Sequence, residues 1–289
     1  MSAQQWRERG LVFLCGDNRL VGVVAEPERH QSVGVVILVG GPQYRVGSHR
    51  QFTLLARDLA AAGIPSLRFD YTGMGDSEGE QRDFNATNED LGAAIAAFSA
   101  TVPGLQRIVL WGLCDAASSA MLFAHQHPQV RGLVLLNPWV HGVEHSPNVT
   151  LSHYYRPLIS ASENWGRLFS GKIDLLPAFR EFFGSSMRWV AGRFGLSHGL
   201  PSRHSFVREM LEGFQQFAHP SLVILSEDDL TAREFAALVA GDTAWEKAMH
   251  APQVATHSFA GADHTFSRRV WADELNRLTI DWIHREMVN

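Results

Sequence analysis

Apolar residues recur along the chain with two different periods. Residues 34–39, Gly-Val-Val-Ile-Leu-Val, are apolar throughout. A strand requires that only when both faces are covered, as in a parallel sheet flanked by helices. Residues 51–62 then switch to helical spacing, with Phe52, Leu55, Leu59 and Ala62 on one face. The alternation continues with a strand at 64–69, an Ala-rich helix at 91–98, a strand at 108–110, a helix at 116–125 and a strand at 132–136. Ahead of these, apolar runs at 10–15 and 20–25 flank Gly16-Asp17-Asn18-Arg19, a hairpin signal. Strand–helix alternation behind an antiparallel hairpin predicts a doubly wound, mostly parallel α/β sheet.

The pattern breaks at about residue 139 and resumes at 221 with a strand to 225, a helix over 232–240, a strand at 254–259 and a closing helix at 270–287. Between them lie aromatic, Arg-rich and His-rich residues with no clean buried strand. A long irregular stretch inside a regular sheet reads as an inserted lid. The expected organisation is a body of residues 1–138 and 220–289, with a lid at 139–219.

Composition narrows this only a little. With 289 residues, 45% hydrophobic and 19% charged, the chain is globular and long enough for a large core. A net charge of −5 argues against a nucleic-acid-binding surface. No apolar run reaches the roughly 18 residues of a membrane helix. The N-terminal sequence lacks the apolar segment of a secretion signal, so a cytoplasmic protein is expected. Cys15 and Cys114, far apart in sequence, read as free thiols. Cys15 is expected on the opening hairpin, away from the carboxyl edge of the sheet.

Cys114 carries the strongest chemical signal. Trp111-Gly112-Leu113-Cys114-Asp115-Ala116-Ala117 joins a predicted strand to a predicted helix, the setting of a nucleophile elbow. Cys114 stands where the Gly-x-Ser-x-Gly pattern has Ser, and Ala116 replaces the second Gly. The helix N-terminus is expected to lower the thiol pKa. A nucleophile needs a base, and the base a carboxylate. Ser226-Glu227-Asp228-Asp229 ends one predicted strand, and Gly261-Ala262-Asp263-His264 follows the last. Cys114, Asp229 and His264 reproduce the nucleophile–acid–His order of α/β-hydrolases, each at the carboxyl end of a strand. Asp228 is the alternative acid. For the oxyanion hole, Asp115 N–H supplies one donor and Leu38-Val39-Gly40-Gly41-Pro42-Gln43 the other. Pro42 has no N–H, which leaves Gly41, with Gln43 second. An inward Asp115 carboxylate would oppose thiolate formation, whereas an outward one would only favour the helix start. No His-x-x-His or Cys-x-x-Cys cluster is present, so no metal or cofactor is implied.

With these residues assembled, the chain resembles the α/β-hydrolase superfamily over nearly its whole length. Asp70-Tyr71-Thr72-Gly73-Met74-Gly75-Asp76-Ser77 is similar to that superfamily's structural Asp-x-x-Gly-x-Gly-x-Ser loop, which gives Asp70 and Asp76 no chemistry. A narrower resemblance runs through 40–50, 112–117, Leu136-Asn137-Pro138-Trp139 and Asp229-Leu230-Thr231-Ala232 to the exosortase A system-associated hydrolase 1 family. That family is associated with loci that also hold acyl-activating and acyl-carrier proteins. The Leu-Thr-Ala segment after the acid in that family favours Asp229.

The expected function is therefore an acyl hydrolase or acyltransferase. It would use a Cys-His-Asp triad and a thioester acyl-enzyme on a small ester, thioester or lactone, possibly carried on CoA or an acyl carrier protein. In the lid, Tyr154, Tyr155, Arg156 and Trp165 are candidate substrate contacts. Residues 150–210 hold eight Arg or Lys against four Asp or Glu, an excess that local ion pairing would also explain. The competing reading keeps the fold as a non-catalytic small-molecule binding or scaffold protein. The oligomeric state is left open.

Overall fold

The computed structural model describes residues 5–41, 43–140 and 203–288, with side chains in the last segment from Phe206 onward. The strands are β1 (Trp6–Cys15), β2 (Asn18–Pro27), β3 (Val33–Leu38), β4 (Ser66–Phe69), β5 (Arg107–Leu113), β6 (Val130–Leu136), β7 (Ser221–Ser226) and β8 (Val254–Phe259). The α-helices are α1 (Gln51–Ala61), α2 (Asn88–Thr101), α3 (Asp115–Phe123), α4 (Arg203–Gln216), α5 (Leu230–Gly241), α6 (Thr243–Met249) and α7 (Arg269–Ile283).

All eight strands form one sheet in the order β1-β2-β4-β3-β5-β6-β7-β8. From β4 to β8 every neighbouring pair is parallel, while β2 is antiparallel to both β1 and β4. This is the α/β-hydrolase fold. Every residue of β3 is buried, as its uninterrupted apolar sequence requires. The hairpin turn closes on two residues, Gly16 and Asp17, so both strands extend further than the apolar runs suggest. Gly16, with φ 57°, supplies the left-handed turn.

Two reversals of direction bring β1 back parallel to the main sheet. Cys15 therefore ends β1 on the carboxyl side of the sheet, and the expectation that it lies away from that edge is corrected. Strands β2, β4 and β3 still separate β1 from β5. Burial and the neighbouring Asp90 push the Cys15 thiol up to about 11, so it rests as a neutral thiol.

The chain divides into two compact units, Met1–Val140 with Phe206–Asn289, and His141–Ser205. The stretch after Phe206, expected in the lid, belongs to the first unit, and Met210, Phe214 and Phe217 are buried in its core. An amphipathic helix on the body accounts for the absence of a strand pattern there. Tyr154, Tyr155, Arg156 and Trp165 lie outside the described residues. Among the described residues, no helix is long and apolar enough to cross a membrane.

Candidate active site

The turn between β5 and α3 is tight. Cys114 has φ 64° and ψ −125°, a sparsely populated conformation for a side chain with a Cβ. Neighbouring hydrogen bonds hold it there: Cys114 N–H donates to Leu136 O at 2.9 Å, and Cys114 O accepts from Ala117 N–H at 3.0 Å. Gly112 permits the close return of the chain, since a Cβ there would lie 2.7 Å from the Ala116 backbone carbonyl. Small residues therefore flank Cys114 for a steric reason, and Ala116 fits where a second Gly was not needed.

At the end of β7, Asp228 and Asp229 part company. The Asp228 side chain is 75% exposed and lies 3.4 Å from Arg233, whereas that of Asp229 is 8% exposed. Asp229 caps α5 by accepting Ala232 N–H at 3.1 Å. Its Oδ2 also lies 2.9 Å from His264 Nδ1. His264 stands in the loop after β8, which Asp263 shapes by accepting Thr265 N–H at 3.2 Å and Ser267 N–H at 2.9 Å.

Asn137, just past β6, joins these loops. It is fully buried and left-handed, with φ 44°. Its Oδ1 accepts Ser226 N–H at 2.9 Å, and its Nδ2 donates to Ser226 Oγ at 3.0 Å and His264 O at 3.4 Å. Sequence reasoning gave Asn137 no role. The available signal was an Asn directly after an apolar strand, a residue type that tolerates the left-handed region.

On the other side of the elbow, Gly41 has φ 60° and its N–H points at Asp115. It donates to both carboxylate oxygens, at 2.8 and 2.9 Å. The N–H groups of Ala116 and of Asp115 itself also favour that carboxylate. The inward arrangement of Asp115 is thus the one adopted, and both expected oxyanion donors, Gly41 and Asp115 N–H, face its side chain. A Cβ at Gly40 would collide with Asp115 Oδ1, so a glycine there makes room for it. The Gln43 side chain braces the same loop, its Oε1 accepting Ser48 N–H at 3.0 Å.

The Gly41 loop is tied down by Arg45. Its guanidinium bridges Asp70 and Asp76, and its own N–H donates to Asp70 Oδ1 at 2.6 Å. Asp70 is fully buried, so the pair is an internal clasp between the loops after β3 and β4.

These surroundings overturn the expectation of a lowered thiol pKa. Burial, then the Asp115 carboxylate, push Cys114 well above the ordinary thiol value, and Asp229 adds to the rise; the Asp115 N–H opposes them. Desolvation and two nearby negative charges outweigh the helix N-terminus. Burial also raises Asp115 itself, against the pull of its backbone donors and of His264. Cys114 therefore rests as a neutral thiol.

The strand order and the elbow define an α/β-hydrolase-fold chain. Residues 30–172, just under half of it, match the family model described as serine aminopeptidase, S33. The narrower exosortase-associated family suggested by the motifs is not confirmed by this match. No curated protein matches the chain significantly. Among solved structures, it is similar to an esterase of Pyrococcus furiosus, at 16% identity and TM-score 0.64 over 98% of this chain and 92% of that one. An α/β hydrolase, GrgF, from a Penicillium species gives 17% identity and TM-score 0.62, over 99% and 100%. An α-β serine hydrolase homologue from Coxiella burnetii gives 16% and 0.58, over 95% and 97%.

Proposed function

We propose that the chain is an acyl hydrolase or acyltransferase of the esterase or thioesterase type, acting through Cys114, His264 and Asp229. The observation that carries the reading is the coincidence of a strained elbow at Cys114 with a buried Asp229–His264 pair on the adjoining loops. The matched family model and the structural neighbours are hydrolases described as serine enzymes or esterases, which supports the reaction class.

The raised thiol pKa assigns the work to His264. As Sγ attacks an acyl carbon, the thiol proton passes to His264 Nε2, and Asp229 stabilises the imidazolium that forms. The new C–S bond makes a tetrahedral intermediate whose oxyanion needs the Gly41 and Asp115 N–H groups. Collapse breaks the bond to the leaving oxygen or sulfur, which takes the proton from His264. Water, giving its proton to His264, then attacks the thioester and restores Cys114. An amine or thiol acceptor in place of water makes the same enzyme a transferase. A small ester, thioester or lactone, with CoA or an acyl carrier protein as the carrier, fits this chemistry. So does the exosortase-associated resemblance, whose loci hold acyl-carrier proteins.

One observation favours a second reading, a non-catalytic binding protein: the Asp115 carboxylate already occupies Gly41 N–H. Intact-protein mass spectrometry with a panel of acyl thioesters and activated esters separates the two. The catalytic reading expects an acyl adduct on Cys114 and none on Cys114→Ala. A chain that turns over no acyl donor and forms no adduct is the binding protein.

A further inference from the structure

We propose that Ser118 is a positioning residue of the oxyanion hole, fixing the direction of the Asp115 N–H donor by clamping Trp139 against the carbonyl of Cys114. This rests on the acyl-transfer reading above and adds to it the group that holds an oxyanion donor in place.

One peptide plane carries both groups. The Cys114 carbonyl and the Asp115 N–H belong to the same planar trans amide and point in opposite directions. Whatever holds the carbonyl therefore aims the N–H that must meet the oxyanion. The torsion that sets this plane is ψ of Cys114, −125°, in a sparsely populated region that persists only where its surroundings impose it. Three N–H groups converge on the carbonyl: Ala117 at 3.0 Å, Ser118 at 3.2 Å and Trp139 at 3.3 Å. The first two belong to the opening turn of α3 and come with the helix. Trp139 N–H arrives from the loop after β6 and has to be placed.

Ser118 places it. This residue lies one turn beyond Cys114 in α3 and is fully buried. Its hydroxyl donates to Trp139 O at 2.7 Å and accepts Trp139 N–H at 2.9 Å. The same hydroxyl stands 3.4 Å from Cys114 O, and its single proton goes to the shorter bond. One side chain thus engages both backbone groups of Trp139, as a neighbouring strand would, and shares the N–H with the Cys114 carbonyl. The Trp139 ring is held too, edge to face with Phe84 at 5.5 Å and stacked on Phe206 at 5.9 Å. Without the hydroxyl, the Trp139 carbonyl loses this donor and its N–H keeps only the longer contact to Cys114. The loop then shifts to recover a hydrogen bond. The Cys114 carbonyl loses a fixed donor, and the Asp115 N–H loses its fixed direction. Misaiming an oxyanion donor costs roughly 10- to 100-fold in rate.

The test compares Ser118→Ala with wild type in two reactions of Cys114. Turnover of p-nitrophenyl acetate builds an oxyanion, whereas alkylation by iodoacetamide displaces iodide at a saturated carbon and builds none. In Ser118→Ala, kcat for the ester should fall roughly 10- to 100-fold. KM should change less than about threefold, because the oxyanion contact is made mainly in the transition state. The alkylation rate of Cys114, and its rise with pH, should stay within about twofold of wild type. Ser118→Thr keeps the hydroxyl and Ser118→Val removes it at the same shape, so Thr should exceed Val in kcat by a similar factor. That pair, checked by thermal melting, decides the matter if the alanine variant misfolds. Unchanged kcat in a folded Ser118→Ala, equal Thr and Val rates, or matching falls in turnover and alkylation would overturn the proposal and leave the acyl-transfer reading standing. A wild-type chain that neither turns over the ester nor takes an acyl group on Cys114 removes both.

Discussion

Replacing Asn137 by Ala should destabilise the body by about 3–5 kcal/mol and slow turnover as well. The magnitude follows from what truncation leaves behind. Ser226 N–H, 2.9 Å from Asn137 Oδ1, and Ser226 Oγ, 3.0 Å from Nδ2, would both lose a partner in a fully buried setting. Each unmet buried polar group costs about 1–3 kcal/mol. The weaker contact to His264 O, at 3.4 Å, adds little. The backbone contributes separately, because φ is 44° and Ala is disfavoured there by about 1–2 kcal/mol. Asn137→Gly removes the same hydrogen bonds without that backbone penalty, so it should be about 1 kcal/mol less damaging than Ala. Urea and thermal unfolding measure both variants, with a midpoint fall of roughly 10 °C expected for Ala. Turnover of an activated ester should fall too, since Ser226 lies three residues before Asp229 and the third contact is to His264 itself. An Ala variant within 1 kcal/mol of wild type would refute the bridging bonds. Equal losses for Ala and Gly would refute the left-handed backbone.

Asp229→Asn should lower turnover by on the order of 10⁴-fold while Asp228→Asn leaves it nearly unchanged; both should melt near wild type, because Asn also caps a helix, and the reverse ranking would reassign the acid. Iodoacetamide labelling of Cys114 should be slow at neutral pH and still rising above pH 9, because burial, Asp115 and Asp229 hold the thiol up; Asp115→Asn should speed it, and a plateau below pH 7 would mean a resident thiolate. Burial holds Asp115 above its ordinary carboxyl value, so the native chain binds that proton more tightly than the unfolded one, and this stabilising contribution is lost as pH rises through the folded pKa. Asp115→Asn should therefore melt higher than wild type at pH 7, and the gain should vanish below about pH 4. Gly112→Ala should destabilise by about 1–3 kcal/mol and abolish turnover, since its Cβ would press on the Ala116 backbone from 2.7 Å; a fully active variant would contradict the tight elbow.

The linear pattern of the chain determined its architecture. Burial on both faces forces continuous apolar strands, so β3, β5 and β6 are visible in the sequence, and the small residues around Cys114 announce a turn that large ones would block. Chain order then brought Asp229 and His264 to the same sheet edge as Cys114, because consecutive parallel strands end on one side. The tertiary structure decided everything that depends on neighbours remote in sequence. The direction of β1, and with it the place of Cys15, followed from two antiparallel pairings. The body membership of the segment after Phe206 followed from packing that its polar-apolar pattern did not reveal. Asn137 gained its bridging role only when the loops after β6, β7 and β8 converged. Most consequentially, the thiol pKa of Cys114 is raised, where the helix N-terminus alone predicts it lowered. A dipole at a helix end is a local feature readable from sequence, whereas desolvation and the inward turn of Asp115 toward Gly41, 74 residues away, exist only in the folded chain.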